Sequence, residues 1–121
     1  MKPQELNAHA NLAKALRLQG KYAEAIPHYE ALLASKPDAF EMHNGMGTSL
    51  ARLGRIDEAL SRFQEGVRLK PDSIEVRINM AQALESLGRP EEAGEQYREA
   101  QRLDPQIYSQ LEQQGQAPAQ R

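Results

Sequence analysis

The stretch LGRIDEALSRFQEGVRLKPD, residues 53 to 72, decides the fold because the chain writes it almost twice more. Residues 19 to 38 read QGKYAEAIPHYEALLASKPD, and residues 87 to 106 read LGRPEEAGEQYREAQRLDPQ. Gly20, Gly54 and Gly88 therefore stand at a constant spacing of 34. The same spacing holds for Ala25, Ala59 and Ala93, for Tyr29, Phe63 and Tyr97, and for Pro37, Pro71 and Pro105. Four independent columns in one register mean internal repetition, which takes precedence over any residue-by-residue reading.

Each unit divides at its glycine into two amphipathic segments. In the middle unit Phe40, Met46, Gly47, Leu50 and Leu53 recur at helical spacing, and Ala59, Leu60, Phe63 and Val67 do so again. Gly20, Gly54 and Gly88 supply the left-handed conformation that ends the first helix of each pair. Pro37 and Pro71 fit just outside a helix start. Asp38 and Asp72, each followed three residues later by Glu41 or Glu75, read as helix caps. The spacing predicts helices over residues 4 to 19, 22 to 35, 39 to 53, 56 to 69, 73 to 87 and 90 to 103. Ile107, Tyr108 and Leu111 add an apolar stripe, predicting a short capping helix over about 106 to 113, and residues 114 to 121 read as a tail. Gly66 and Gly94 fall inside second helices, where alanine would cost about 1 kcal/mol less; close approach of a neighbouring helix explains such a residue at Gly66.

Composition narrows the functional classes. The chain has 121 residues, 40% hydrophobic and 26% charged, which is one domain of ordinary soluble composition. A net charge of −2 provides no field to gather a polyanion, so nucleic acid is not an expected partner. The absence of cysteine excludes disulfides, thiolate metal sites and cysteine nucleophiles. No apolar run is long enough for a membrane span or a signal-peptide core, so the expectation is a soluble, cytoplasmic protein without a membrane partner.

The columns resemble the tetratricopeptide repeat family, whose unit is a 34-residue helix-turn-helix. With repeats counted as 6 to 39, 40 to 73 and 74 to 107, the match takes in position 7 (Leu12, Met46, Met80), position 8 (Ala13, Gly47, Ala81) and position 11 (Leu16, Leu50, Leu84). Alanines at position 20, aromatics at 24 and prolines at 32 complete it. Position 4, usually Trp or another large apolar residue, is His9, His43 and Arg77 here; each is expected to lay its apolar part on a neighbouring helix with its polar tip toward water. The resemblance implies an all-α, right-handed superhelical solenoid of three repeats over residues 1 to 121, with a concave groove lined by the first helices.

It also implies a non-catalytic module that holds a peptide or partner segment. The positions that the family turns into the groove give a peptide-binding set of Asn11, Lys14, Arg17, Asn44, Thr48, Arg52, Asn79 and Gln82. Amides offer both a donor and an acceptor to an extended backbone, and Lys14, Arg17 and Arg52 form a basic cluster. A grip on the C-terminal carboxylate of heat-shock chaperones is not expected: that role needs Lys and Asn, Asn, and Lys and Arg where this chain has Ala10, Lys14, Gly45, Glu75 and Asn79. Asn11 and Asn79 resemble two rungs of the asparagine ladder of O-linked sugar-transferase repeats, with Gly45 interrupting it. The alternatives are a structural self-assembly module and a substrate-recruiting accessory domain of a larger enzyme such as a glycosyltransferase. A monomer or weak dimer is expected.

Enzyme chemistry and metal binding find no support in the residue pattern. The serines lack a nucleophile elbow, GMG at residues 45 to 47 lies mid-helix, and Glu91 and Glu92 suit a first helical turn. His9 and His43 stand in one column of successive first helices, about 10 Å apart. His28 has no carboxylate-and-histidine companion at ligand spacing, so neither a metal nor a cofactor is expected.

Overall fold

The computed structural model describes residues 2–115, and residues 116 to 121 of the expected tail lie outside them. The described residues form seven helices: α1 (Pro3–Leu18), α2 (Tyr22–Ser35), α3 (Phe40–Arg52), α4 (Ile56–Leu69), α5 (Ile74–Ser86), α6 (Pro90–Leu103) and α7 (Ile107–Gln113). Each helix packs on its neighbours in sequence, and first helices also touch, α1 with α3 and α3 with α5. The result is an all-α solenoid of three helix pairs closed by a short terminal helix. No described helix is long and apolar enough to cross a membrane.

Both kinds of turn repeat with the 34-residue period. Gly20, Gly54 and Gly88 have φ of 77°, 80° and 72°, the left-handed region that glycine enters without steric cost. The amide one residue further on bonds back into the finished helix, from Lys21 to Leu16, Arg55 to Leu50 and Arg89 to Leu84. Between repeats, Ala39 N–H donates to Lys36 O, Ser73 to Lys70 and Ile107 to Asp104. Those bonds close four-residue turns with proline in the second place, which its fixed φ suits.

The same turns correct the expected caps. Asp38 and Asp72 occupy the third place of the turn, so α3 and α5 begin only at Phe40 and Ile74. The N-cap residues are Ala39, which makes no side-chain cap bond, and Ser73, whose hydroxyl accepts from Val76 N–H at 3.4 Å. A proline two residues upstream of the N-cap commits the intervening aspartate to the turn.

The core is a chain of three apolar clusters, each spanning a seam between helices. The first joins Ala13, Ala25 and Tyr29. The second joins Ile26, Leu50, Ala59, Phe63, Val76 and Ala83. The third includes Leu84, Ala93, Tyr97 and Ala100 and is closed by Ile107 and Leu111 of α7. Ala25, Ala59 and Ala93 are completely or almost completely buried, because paired helices approach there too closely for a larger side chain. A Cβ added at Gly47 would lie 2.5 Å from a Phe63 ring carbon, and one at Gly66 would lie 3.1 Å from Val76 Cγ1. Gly47 thus makes room for an aromatic ring, and Gly66 marks the predicted close approach. Gly94 meets only the flexible end of Arg98.

Position 4 departs from expectation. His43 is buried, and its Nε2 lies 2.7 Å from Pro37 O while its Nδ1 faces Arg62 Nη1 at 3.3 Å. Arg77 Nε donates to Pro71 O and its Nη1 to Gln96. These side chains therefore tie the inter-repeat turn to the helix pair and do not reach simply for water. On the outside, Arg55–Glu58 recurs as Arg89–Glu92, and Glu65–Arg68 recurs as Glu99–Arg102. The guanidinium beside each of these carboxylates holds it below the usual range, but the pairs are largely solvated and contribute little to stability.

Two outcomes follow from this packing. Ala59→Phe and Gly47→Ala each overfill a closed seam and lower stability by about 1 to 3 kcal/mol. Denaturant unfolding reads this as a lower midpoint, and an unchanged midpoint would place the seam elsewhere. Truncation after Gln106 removes Ile107 and Leu111 from the third cluster, so the shortened chain melts at lower temperature or self-associates in sedimentation. A truncated monomer of full stability would show that α7 covers nothing of consequence.

Candidate interaction groove

Because first helices line up side by side, residues one helical turn apart on each face a common concave surface. The first cleft on that surface has a volume of about 600 Å³ and is lined by Asn11, Lys14 and Arg17 of α1 and by Asn44 and Thr48 of α3, among others. The second, about 360 Å³, is lined by Thr48 and Arg52 of α3 and by Asn79 and Gln82 of α5. All eight sequence-predicted residues thus line two clefts that share Thr48.

The amides and cations differ in how free they are. Asn79 Nδ2 donates to Asn44 Oδ1 at 2.9 Å, bridging two first helices across 35 positions of sequence. That bond uses one donor and one acceptor and leaves the remaining amide groups for a ligand. Thr48 Oγ1 donates to Asn44 O, so its hydroxyl can only accept from a ligand. Arg17 is half-buried, and its Nε donates to the Tyr29 hydroxyl at 3.0 Å. Lys14 and Arg52 are exposed and belong to none of the ion pairs found among the described residues.

Sequence reasoning missed Tyr29. Its ring lies under the groove floor where Gly45 opens the space, since a Cβ on Gly45 would stand 2.6 Å from the Tyr29 hydroxyl oxygen. The signal was present in two columns. Position 12 carries Arg17, Ala51 and Glu85 while position 24 carries Tyr29, Phe63 and Tyr97, so a charged residue occurs only where the aromatic has a hydroxyl. In the third repeat the Tyr97 hydroxyl donates to Glu85; burial first, and then this carboxylate, push the phenol well above its ordinary range. In the middle repeat Ala51, Ile56, Phe63 and Ala83 make the corresponding part of the second cleft apolar.

Further lining residues had no signal, because they lie off the groove-facing positions of the first helices. Phe40 opens α3, Lys70 follows α4 and Ser73 caps α5, and all three border the first cleft. The Lys70 ammonium stands 5.4 Å from the Phe40 ring centroid, a cation–π arrangement that holds this lysine at the rim. The first cleft therefore combines Lys14, Arg17 and Lys70 with Glu41 and Glu75. Among the described residues no group of three or more His, Asp or Glu side chains could hold a metal ion.

Comparison with known proteins bears on this geometry. The family model for the tetratricopeptide repeat matches residues 2–40, 10–74 and 44–106. A search of curated protein sequences returned no match. Among solved structures, a point mutant of MamA is 29% identical, with a TM-score of 0.80 over 84% of this chain and 74% of its own. MamA from AMB-1 is also 29% identical, with a TM-score of 0.78, and this chain covers 55% of its length. The chain spans little more than half of several such relatives, 58% and 59% of a second MamA mutant and of MamA from MSR-1. The Yersinia enterocolitica type III secretion translocator chaperone SycD shares the fold at 22% identity, with a TM-score of 0.83 over 93% of this chain and 87% of its own. With 145 solved chains of similar structure, the fold by itself names no partner. Continuous coverage by the family model, the 34-residue period and the stacked helix pairs together make this chain a member of the tetratricopeptide repeat family, a protein-interaction scaffold.

Proposed function

We propose that the concave groove holds an extended segment of a partner protein, with acidic side chains of that segment meeting Lys14, Arg17 and Arg52. The observation that carries this reading is the continuity of the two clefts through Thr48, with amides along the floor and cations at the edge. A bound strand would exchange backbone hydrogen bonds with the amide groups that the Asn44–Asn79 bond leaves over. Arg17, braced by Tyr29, presents its guanidinium in a restricted orientation and so loses less side-chain freedom on binding. Glu41 and Glu75 disfavour acidic residues at the opposite end of the same cleft, which sets the direction of the segment.

A partner captured on the immobilised protein and identified by mass spectrometry supplies the ligand for the test. Changing Lys14 and Arg52 together to Ala removes two exposed charge contacts of about 0.2 to 1 kcal/mol each. Binding then weakens by a few-fold, its salt dependence flattens, and the melting temperature stays within a few degrees. Unchanged binding in this variant, together with loss of binding on changing exposed residues of α2 and α4, would move the site to the outer face.

A second reading, self-assembly, rests on Leu12. It is 45% exposed at position 7, where Met46 and Met80 are packed against the core clusters. A second copy that stacks there would cover it. Concentration-dependent association abolished by Leu12→Lys supports this reading, and a wild-type chain that stays monomeric at high concentration ends it.

A further inference from the structure

Positions 4 and 23 face each other within every repeat, across 19 residues of sequence. In the second repeat they are His43 and Arg62, and in the third Arg77 and Gln96. In the first they are His9 and His28, with Nδ1 to Nδ1 at 2.9 Å. Sequence reasoning left His28 without a ligand companion; packing of α1 on α2 provides one.

We propose that His9 and His28 form a two-imidazole site for a late first-row divalent transition ion, Cu²⁺ before Ni²⁺ or Zn²⁺. The His43 and Arg77 pairs each hold a permanently protonated guanidinium, which can only donate. The first pair alone sets against each other two ring nitrogens that can each ligate when unprotonated. Ring centroids 5.2 Å apart, with the nitrogens at 2.9 Å, mean that the two nitrogens face each other nearly head on in one hydrogen bond. Neither ring has another hydrogen-bond partner among the described residues. In the next two repeats, by contrast, the position-4 side chain also reaches the carbonyl of Pro37 or Pro71.

A metal ion takes the place of that hydrogen bond once both imidazoles turn, since nitrogens that face each other at 2.9 Å must swing their lone pairs off the line between them to meet on one ion. Nitrogens bound at 2.0 to 2.1 Å stand about 2.9 Å apart at a right angle and about 3.4 Å apart at the tetrahedral angle. The observed separation meets the right-angled value, which is the cis angle of the tetragonal geometry that Cu²⁺ and Ni²⁺ prefer. Rotation of the imidazoles about χ2, a soft torsion, turns both lone pairs onto one point. Both side chains are half-buried, so the ion keeps open positions for water, and each Nε2–H remains available to solvent. Neither histidine lines the two concave clefts, so this site is separate from the proposed groove. Its bound ion would clamp α1 to α2.

The test uses the full chain without an affinity tag, titrated with CuCl2 and NiCl2 in a weakly coordinating buffer. Calorimetry gives one ion per chain, the melting temperature rises with metal, and the electron paramagnetic resonance spectrum of the Cu²⁺ form shows coupling to two nitrogens. Binding is lost on acidification, since imidazole must be unprotonated to ligate. His28→Arg and His28→Gln copy the residues found at this position in the next two repeats, and both therefore keep the fold. Each lowers affinity at least ten-fold and abolishes the thermal shift, as does His9→Asn. Wild-type affinity in His28→Arg or His28→Gln, or Cu²⁺ broadening of amide resonances centred away from residues 9 and 28, would overturn the site.

Discussion

The structure depends on where an aromatic ring can go when two helices are too close for one. Tyr29, Phe63 and Tyr97 project from second helices toward seams where the facing residues have little or no side chain. Gly47 receives Phe63, Gly45 leaves space over Tyr29, and Ala13 and Ala81 are buried without exposed surface. Packed interiors tolerate neither a void nor an extra methylene at such points, so each ring fixes the distance and rotation of the helices around it. Repetition of the ring every 34 residues converts one local solution into a solenoid.

The groove inherits its chemistry from the same constraint. Tyr29 is large enough to reach the concave floor from behind, and its hydroxyl engages Arg17 there. Phe63 lacks a hydroxyl, and Ala51 across from it lacks a charge. Tyr97 has the hydroxyl, and Glu85 accepts from it. A core position and a groove position are thereby coupled, and the polarity of the floor varies from repeat to repeat according to one oxygen atom. The Asn44–Asn79 bond adds a polar tie between adjacent first helices at the place where a ligand backbone would lie.

Position 4 shows how a departure from the family pattern is accommodated. A large apolar residue there would fill space, whereas His43 and Arg77 instead bond to a proline carbonyl in the preceding turn. That carbonyl is available because proline, in the second place of the turn, leaves its own oxygen outside the closing bond. In the first repeat His9 pairs with His28. One column thus serves as a turn anchor twice and as an imidazole pair once.

The period, the glycine turns and the amphipathic stripes were legible in the sequence because each depends on residues close together in the chain. They determined six helices to within a residue or two, the terminal helix and the columns that form the core. That the eight groove residues border the clefts was legible through the repeat positions that the family resemblance turns into the groove. Chemistry between helices was decided only by the tertiary structure. The burial of His43, the Arg17–Tyr29 bond, the entry of Phe40, Lys70 and Ser73 into the cleft and the His9–His28 pair all depend on distances across packed elements. Periodicity specifies which face a residue occupies. The side chain opposite it is set by the approach of the next helix, which no local pattern encodes.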